Sequence, residues 1–229
     1  QFRDKSQAQR ELVSSGLLFY PVLMAADVLA YRAHEVPVGE DQREHLELMR
    51  DAARRFNSRH GEDILVVPEA RIPEVGARIM DLQEPTRKMS TTGGTAEGTV
   101  LVLDDPATIE RKFKRAVTDS GNEIVRAPDK PGVSNLIDVL AVARGVAPEQ
   151  VEAEMASARG YGDLKAATAE AVTAMLAPVR ERYEQLRGDE DALERALATG
   201  AQKARAMASE TLADVRRAMA LGPPSGRLV

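Results

Sequence analysis

The chain has no cysteine, and its three histidines, His34, His45 and His60, lack the close spacings of a zinc motif. Disulfides and thiolate metal sites are therefore excluded, which fits a reducing compartment, and no metal ligands are assigned. Long hydrophobic runs are missing too: the longest, Leu17 to Tyr31, is broken by Pro21 and Asp27 and is too short to span a bilayer. No signal-peptide pattern opens the chain, and no membrane partner is expected. The G-x-x-x-x-G-K-[ST] order of a P-loop is absent, and no Ser/His/Asp order or close pair of acids argues for a hydrolase. Nor does either sign of charge dominate. With 31 Lys and Arg against 36 Asp and Glu, the net charge of −5 rules out a basic nucleic-acid coat while leaving room for a local basic face.

What is present comes in a recognisable order. A length of 229 residues suffices for a sizeable core and is read as two domains. Gln1 to Ser15 is a polar loop running into a short helix that Gly16 stops. Because the chain starts with Gln1 inside that loop, further residues upstream are expected. Pro21 suits a first helical turn, so a helix is predicted over Val22 to Tyr31. A strand follows over Glu35 to Val38, then a helix from Gln42 to Phe56 and a second strand over Ile64 to Val67. Strand, helix, strand at this spacing suggests a parallel α/β sheet, with ligands beyond the carboxyl ends of its strands. Glu84 to Gly98 reads as a mobile loop with almost nothing to bury, and Pro68 and Pro73 mark another loop. Thereafter helices dominate: Pro106 to Ser120 with an Asp105 cap, Ser134 to Arg144, Lys165 to Arg187 and Asp189 to Leu221. The domains are placed at residues 1–103 and 104–221, with 222–229 as a disordered tail.

Three stretches carry chemistry. Tyr20, Met24, Asp27 and Tyr31 share one face of the predicted helix, so Asp27 is a carboxylate on an otherwise apolar surface. It is either a helix-edge residue touching solvent or an arginine, or a buried acceptor for a donor on an apolar ligand. Gly39-Glu40-Asp41-Gln42 lies between a strand and a helix, where backbone N–H groups attract anions. Asp41 or Gln42 suits ribose hydroxyls or an amino acid's polar head, but Asp41 followed by Glu44 is also a capping-box spacing. Arg87-Lys88-Met89-Ser90-Thr91-Thr92-Gly93-Gly94 offers a cation, hydroxyls and glycine amides to a polyphosphate, or is a Thr/Gly connector.

YPVLMAADVLAY, VPVGEDQREHLELMRDAARRFN, PEARIPEVGARIMDL, the KMSTT loop, TIERKFKRAVTDS and KPGVSNLIDVLAVARG, in that order, resemble the bacterial tryptophanyl-tRNA synthetases, class I aminoacyl-tRNA synthetases. The resemblance runs from about Gln1 to Gly222. It implies a Rossmann-like catalytic domain, incomplete at its start, followed by an all-helical domain that meets the anticodon. It also implies ATP with Mg²⁺ as a substrate complex with no tightly bound cofactor, L-tryptophan and tRNA(Trp) as partners, and a cytoplasmic homodimer. By the same resemblance Asp27 accepts the indole N–H, Tyr20, Met24, Val36 and Val38 shape the pocket, and Gln42 lies near the amino acid's polar end. Gly39, Glu40 and Asp41 match positions that meet the nucleotide, and Ile79 matches a neighbour of the adenine. Lys88, Met89, Ser90, Thr91 and Thr92 match the loop that clamps the triphosphate, and Lys5 matches a lysine on a facing loop. Lys88 and Lys5 are thus the catalytic candidates.

Two departures stand out. The signature loop carries a second lysine at its fourth position, where this chain has Thr91. The HIGH-like motif belongs upstream of Gln1, and Arg59-His60-Gly61 does not replace it. A non-catalytic tryptophan- or tRNA-binding paralogue and a tyrosyl-tRNA synthetase are the rival readings.

Overall fold

The computed structural model of the chain describes residues 15–61, 63–73 and 75–222. Two compact units emerge, Gln1–Ile72 with Glu194–Val229, and Pro73–Leu193. The first is built on helix α1 (Ser15–Leu29), strand β1 (Glu35–Pro37), a 3-10 turn (Glu40–Gln42), helix α2 (Arg43–His60) and strand β2 (Glu69–Arg71). Glu35, Val36 and Pro37 pair in parallel register with Glu69, Ala70 and Arg71. Strand, helix, parallel strand is thus realised, with α2 as the crossover that a parallel pair requires. Leu46, Met49 and Ala53 are fully buried along one face of α2, and they recur at helical spacing.

Two local expectations shift. Pro21 does not open a helix, since it lies inside α1, as does Gly16, and the short helix expected before Gly16 lies outside the described residues. The second strand forms at Glu69–Arg71 and not at Ile64 to Val67. The cause is Asn57, whose amide donates to the Leu65 carbonyl at 2.7 Å and accepts from the Leu65 N–H at 2.9 Å. Leu65 therefore has both backbone groups satisfied without a sheet partner. The Arg50 guanidinium holds the Pro68 carbonyl, and the ladder begins one residue later.

The second unit is helical. Helix α3 (Pro106–Lys114) starts as expected, with the Asp105 carboxylate accepting from the Thr108 N–H at 2.9 Å and proline at the first turn. It ends at Lys114 and not at Ser120, because the Val117 N–H turns away to donate to the Leu82 carbonyl at 2.7 Å. Helix α4 (Pro131–Arg144) closes on Gly145, which has φ 67°, a left-handed cap that glycine adopts without steric cost. Helix α5 (Pro148–Met155), which the sequence reading left out, precedes the long helix α6 (Tyr161–Arg187). Ile109, Phe113, Val133, Leu136, Ile137, Leu140, Val151 and Leu164 form a fully buried core among these helices.

Helix α7 (Glu190–Ala218) supplies most of its length to the first unit. Asp104 lies within the second unit, where Lys112 of α3 ties the segment before it down. The Lys112 ammonium donates to the Thr99 carbonyl at 2.7 Å and to Asp104 at 2.6 Å, and is itself buried. No described helix is long and apolar enough to cross a membrane. Lys5 and the predicted tail from Pro223 onward lie outside the described residues.

Candidate active site

The first unit holds the residues proposed for the amino acid. Tyr20 of α1 and His45 of α2 meet across the two helices, with the phenol oxygen 2.6 Å from His45 Nε2 and the rings edge-on at 5.1 Å. His45 is buried, and the Tyr20 hydroxyl is pushed up from its ordinary range by burial and by the nearby negative charge of Asp41. Met24, Val36 and Val38 are all half-buried. Asp27 is exposed, not buried, and no hydrogen bond or ion pair joins it to any described residue. The arginine partner considered above is therefore absent among them. Phe19, Val22 and Leu23 of α1 are exposed as well, at 62, 64 and 63 %. Large apolar side chains that bare mark a helix face without a packing partner among the described residues.

Beyond β1 the chain passes through Gly39 into the Glu40–Gln42 turn. Gly39 is extended, with φ −77° and ψ 164°, so its conformation alone does not demand glycine. The capping box is not formed: Gln42 stands at the N-cap of α2, and no side chain caps it. Instead the Gln42 amide donates to Asp41 at 2.8 Å, which pairs the two polar groups expected to face ligand. Glu40 is committed to Arg43, which grips it with Nε and Nη2 at 2.6 and 2.8 Å and holds its carboxyl below the usual range.

The second unit holds Ile79 and the signature loop. Met80 and Lys88 form an antiparallel bridge, the Met89 N–H donates to the Ile79 carbonyl at 2.9 Å, and the Asp81 N–H donates to the Arg87 carbonyl at 2.8 Å. Lys88, Thr91 and Thr92 are exposed, while Met89 and Ser90 are half-buried. The loop is not an unsupported connector. Asp81, only 2 % exposed, accepts from the N–H groups of Gln83 and Glu84 at 2.8 and 3.1 Å and so fixes the turn that enters it. The Leu82 N–H reaches the Gly98 carbonyl at 2.9 Å at the exit. A Cβ at Gly98 would overlap the Asp81 carboxylate, and one at Gly94 would lie 2.5 Å from the Ser90 carbonyl oxygen. Both glycines are thus required by close approach. Arg87 crosses the loop to the Gly93 carbonyl.

Sequence reading missed the supports of this loop. Asn135 of α4 donates to the Met80 carbonyl at 3.0 Å and accepts from the Met80 N–H at 2.9 Å, holding the Ile79–Met80 backbone by a side-chain bridge. Asp81, Lys112 and Asn135 are buried polar groups, and the only signal of each was a polar residue within an apolar pattern. Among the described residues no three His, Asp or Glu side chains cluster closely enough to hold a metal ion.

The family model for class I tRNA synthetases (W and Y) matches residues 1–177. A tryptophan–tRNA ligase of Halalkalibacterium halodurans is 47 % identical over 224 residues, 97 % of this chain and 66 % of the relative. The chain thus spans about two thirds of that relative's length. The crystal structure of tryptophanyl-tRNA synthetase from Mycoplasma pneumoniae superimposes with a TM-score of 0.86 at 33 % identity, over 97 % of this chain and 68 % of that one. That of the Campylobacter jejuni enzyme, complexed with ADP and tryptophan, gives 0.66 at 31 % identity over 96 and 67 % of the two chains. A Rossmann-like class I fold, which the crossover between β1 and β2 begins to express, is common to these structures, and the chain belongs to the class I tRNA synthetases of the W and Y family.

Proposed function

We propose that the protein containing this chain is a tryptophan–tRNA ligase, acting in the cytoplasm as a homodimer on L-tryptophan, ATP with Mg²⁺, and tRNA(Trp). The observation that carries this reading is the 47 % identity to a tryptophan–tRNA ligase along nearly the whole chain, which includes YPVLMAADVLAY and VPVGEDQ. In the proposed reaction the tryptophan carboxylate oxygen attacks the α-phosphorus of ATP and pyrophosphate leaves. The adenylate then passes its aminoacyl group to a tRNA hydroxyl and releases AMP. No protein nucleophile is needed, and catalysis rests on positioning and on charge placed where the leaving pyrophosphate develops it.

Each residue then has a role. Asp27 accepts the indole N–H between walls made by Tyr20, Met24, Val36 and Val38, and Gln42 addresses the polar end of the amino acid. An acceptor fitted to an N–H discriminates against rings that lack one, since it would be left unpaired in the bound state. Gly39, Glu40 and Asp41 meet the nucleotide, Ile79 lies beside the adenine, and Lys88 to Thr92 with Lys5 receive the triphosphate. Asp27's freedom from any described partner leaves it available for a ligand donor. The test is ATP–pyrophosphate exchange by the full-length protein with tryptophan or tyrosine as the amino acid. Exchange driven by tryptophan is expected, and exchange driven only by tyrosine, or by neither, contradicts the proposal.

A further inference from the structure

Arg32 is the corner residue between α1, which carries Asp27, and β1, which carries Val36. It has a left-handed backbone, φ 51°, a conformation sparsely populated for side chains other than Gly, Asn and Asp. Such a conformation persists where surrounding contacts over-determine it. Here the Arg32 N–H closes the end of α1 on the Leu29 carbonyl at 3.2 Å, and the side chain reaches far along the chain. Arg32 Nε donates to the Thr211 hydroxyl at 3.1 Å, and Nη2 donates to Asp214 at 2.5 Å.

Thr211 is the one buried residue of α7, at 3 % exposure in a helix of 29 residues. Its hydroxyl accepts from Arg32 and donates to the Met207 carbonyl at 3.3 Å. Asp214 is shared between Arg217 at 2.7 Å and Arg32, and both cations hold its carboxyl below the usual range. The deepest anchor of the C-terminal helix is therefore spent on a single strained residue. That residue stands in the turn between the helix that carries Asp27 and strand β1.

Resting on the tryptophan reading above, we propose that α7 belongs to the amino-acid site, with Arg32 as the positioning residue through which Thr211 and Asp214 fix the spacing between Asp27 and the Val36–Val38 wall. Arg32 touches no reacting atom. Its effect is on how well the amino acid fits, so it belongs in KM and not in kcat.

The experiment uses the full-length protein with Arg32→Gly, Asp214→Asn and the double variant. Glycine keeps the left-handed turn and removes only the side chain. In pyrophosphate exchange each single variant is expected to raise KM for tryptophan about fivefold with kcat little changed. The double variant should match Arg32→Gly, because without the Arg32 side chain the Asp214 substitution has no contact to it left to break. A second measurement does not depend on catalysis: amide exchange at Val38, whose N–H donates to the Arg71 carbonyl at 3.2 Å, should quicken in every variant. Unchanged KM with a lowered melting temperature, KM effects that multiply in the double variant, or unchanged Val38 exchange would each overturn the proposal. Absence of tryptophan-dependent exchange in the wild type would sink the functional reading instead, leaving Val38 exchange to decide the Arg32 linkage.

Discussion

Lys112 and Asp104 form the most deeply buried ion pair among the described residues, 2.6 Å apart, with side chains 6 and 12 % exposed. The pair closes the segment that leaves the signature loop onto α3, with the Thr99 carbonyl as its third member at 2.7 Å. Removing one partner strands the other charge. Lys112→Met is therefore predicted to lower unfolding free energy by about 3 kcal/mol, read from urea denaturation. The double variant Lys112→Met, Asp104→Leu should recover most of that loss. If the single variant is as stable as the wild type, the pair does not anchor the loop.

Asp81 and Gly98 are predicted to couple. Placing a methyl group at Gly98 forces the Asp81 carboxylate off the N–H groups of Gln83 and Glu84. Gly98→Ala should cost about 2 kcal/mol in the wild type and much less where Asp81 is already alanine. Equal costs in both backgrounds would show that the methyl group is accommodated elsewhere.

How much of this was legible in advance depends on the range of the cause. Asp105 at the start of α3, the face of α2 and the parallel pairing of β1 with a strand after α2 are local or periodic features, and each can be read from its own segment. The position of β2 was not legible, because it depends on whether the amide of Asn57 meets Leu65. Asn135 lies 55 residues from Met80, and Thr211 lies 179 from Arg32. No spacing rule relates residues that far apart. The motif residues were visible as words, whereas the groups that hold them in place became visible only once the chain was folded.

Asp119 gives the second unit a component of acid sensitivity. Tyr161 donates to it at 2.7 Å and Lys130 donates to the same tyrosine at 3.0 Å. The Tyr161 hydrogen bond is the largest cause that holds the Asp119 carboxyl below its usual range. A folded-state pKa below the unfolded one contributes stability that is present above the unfolded value, about 3.9, and lost as pH falls through the folded value. The urea midpoint of Asp119→Asn should therefore lie below that of the wild type at neutral pH, and the gap should close as pH is lowered past about 4. A gap independent of pH would place the effect of the substitution elsewhere.

Thr91 tests the charge on the leaving group. Thr91 stands at the position where the resembled loop carries a second lysine, with the Thr92 hydroxyl and the Gly93 and Gly94 amides after it. Thr91→Lys is predicted to raise the pyrophosphate exchange rate by about tenfold, a conservative share of what one preorganised donor contributes. An unchanged rate would mean that the hydroxyls and amides already suffice.

Calorimetry with the full-length protein tests the central claim most directly, titrating tryptophan and tyrosine into the wild type and into Asp27→Ala. A hydrogen bond to a charged acceptor supports a loss of roughly 30-fold in tryptophan affinity on substitution, with the preference over tyrosine gone. An Asp27→Ala protein that still binds tryptophan at wild-type affinity and still rejects tyrosine would contradict the assignment.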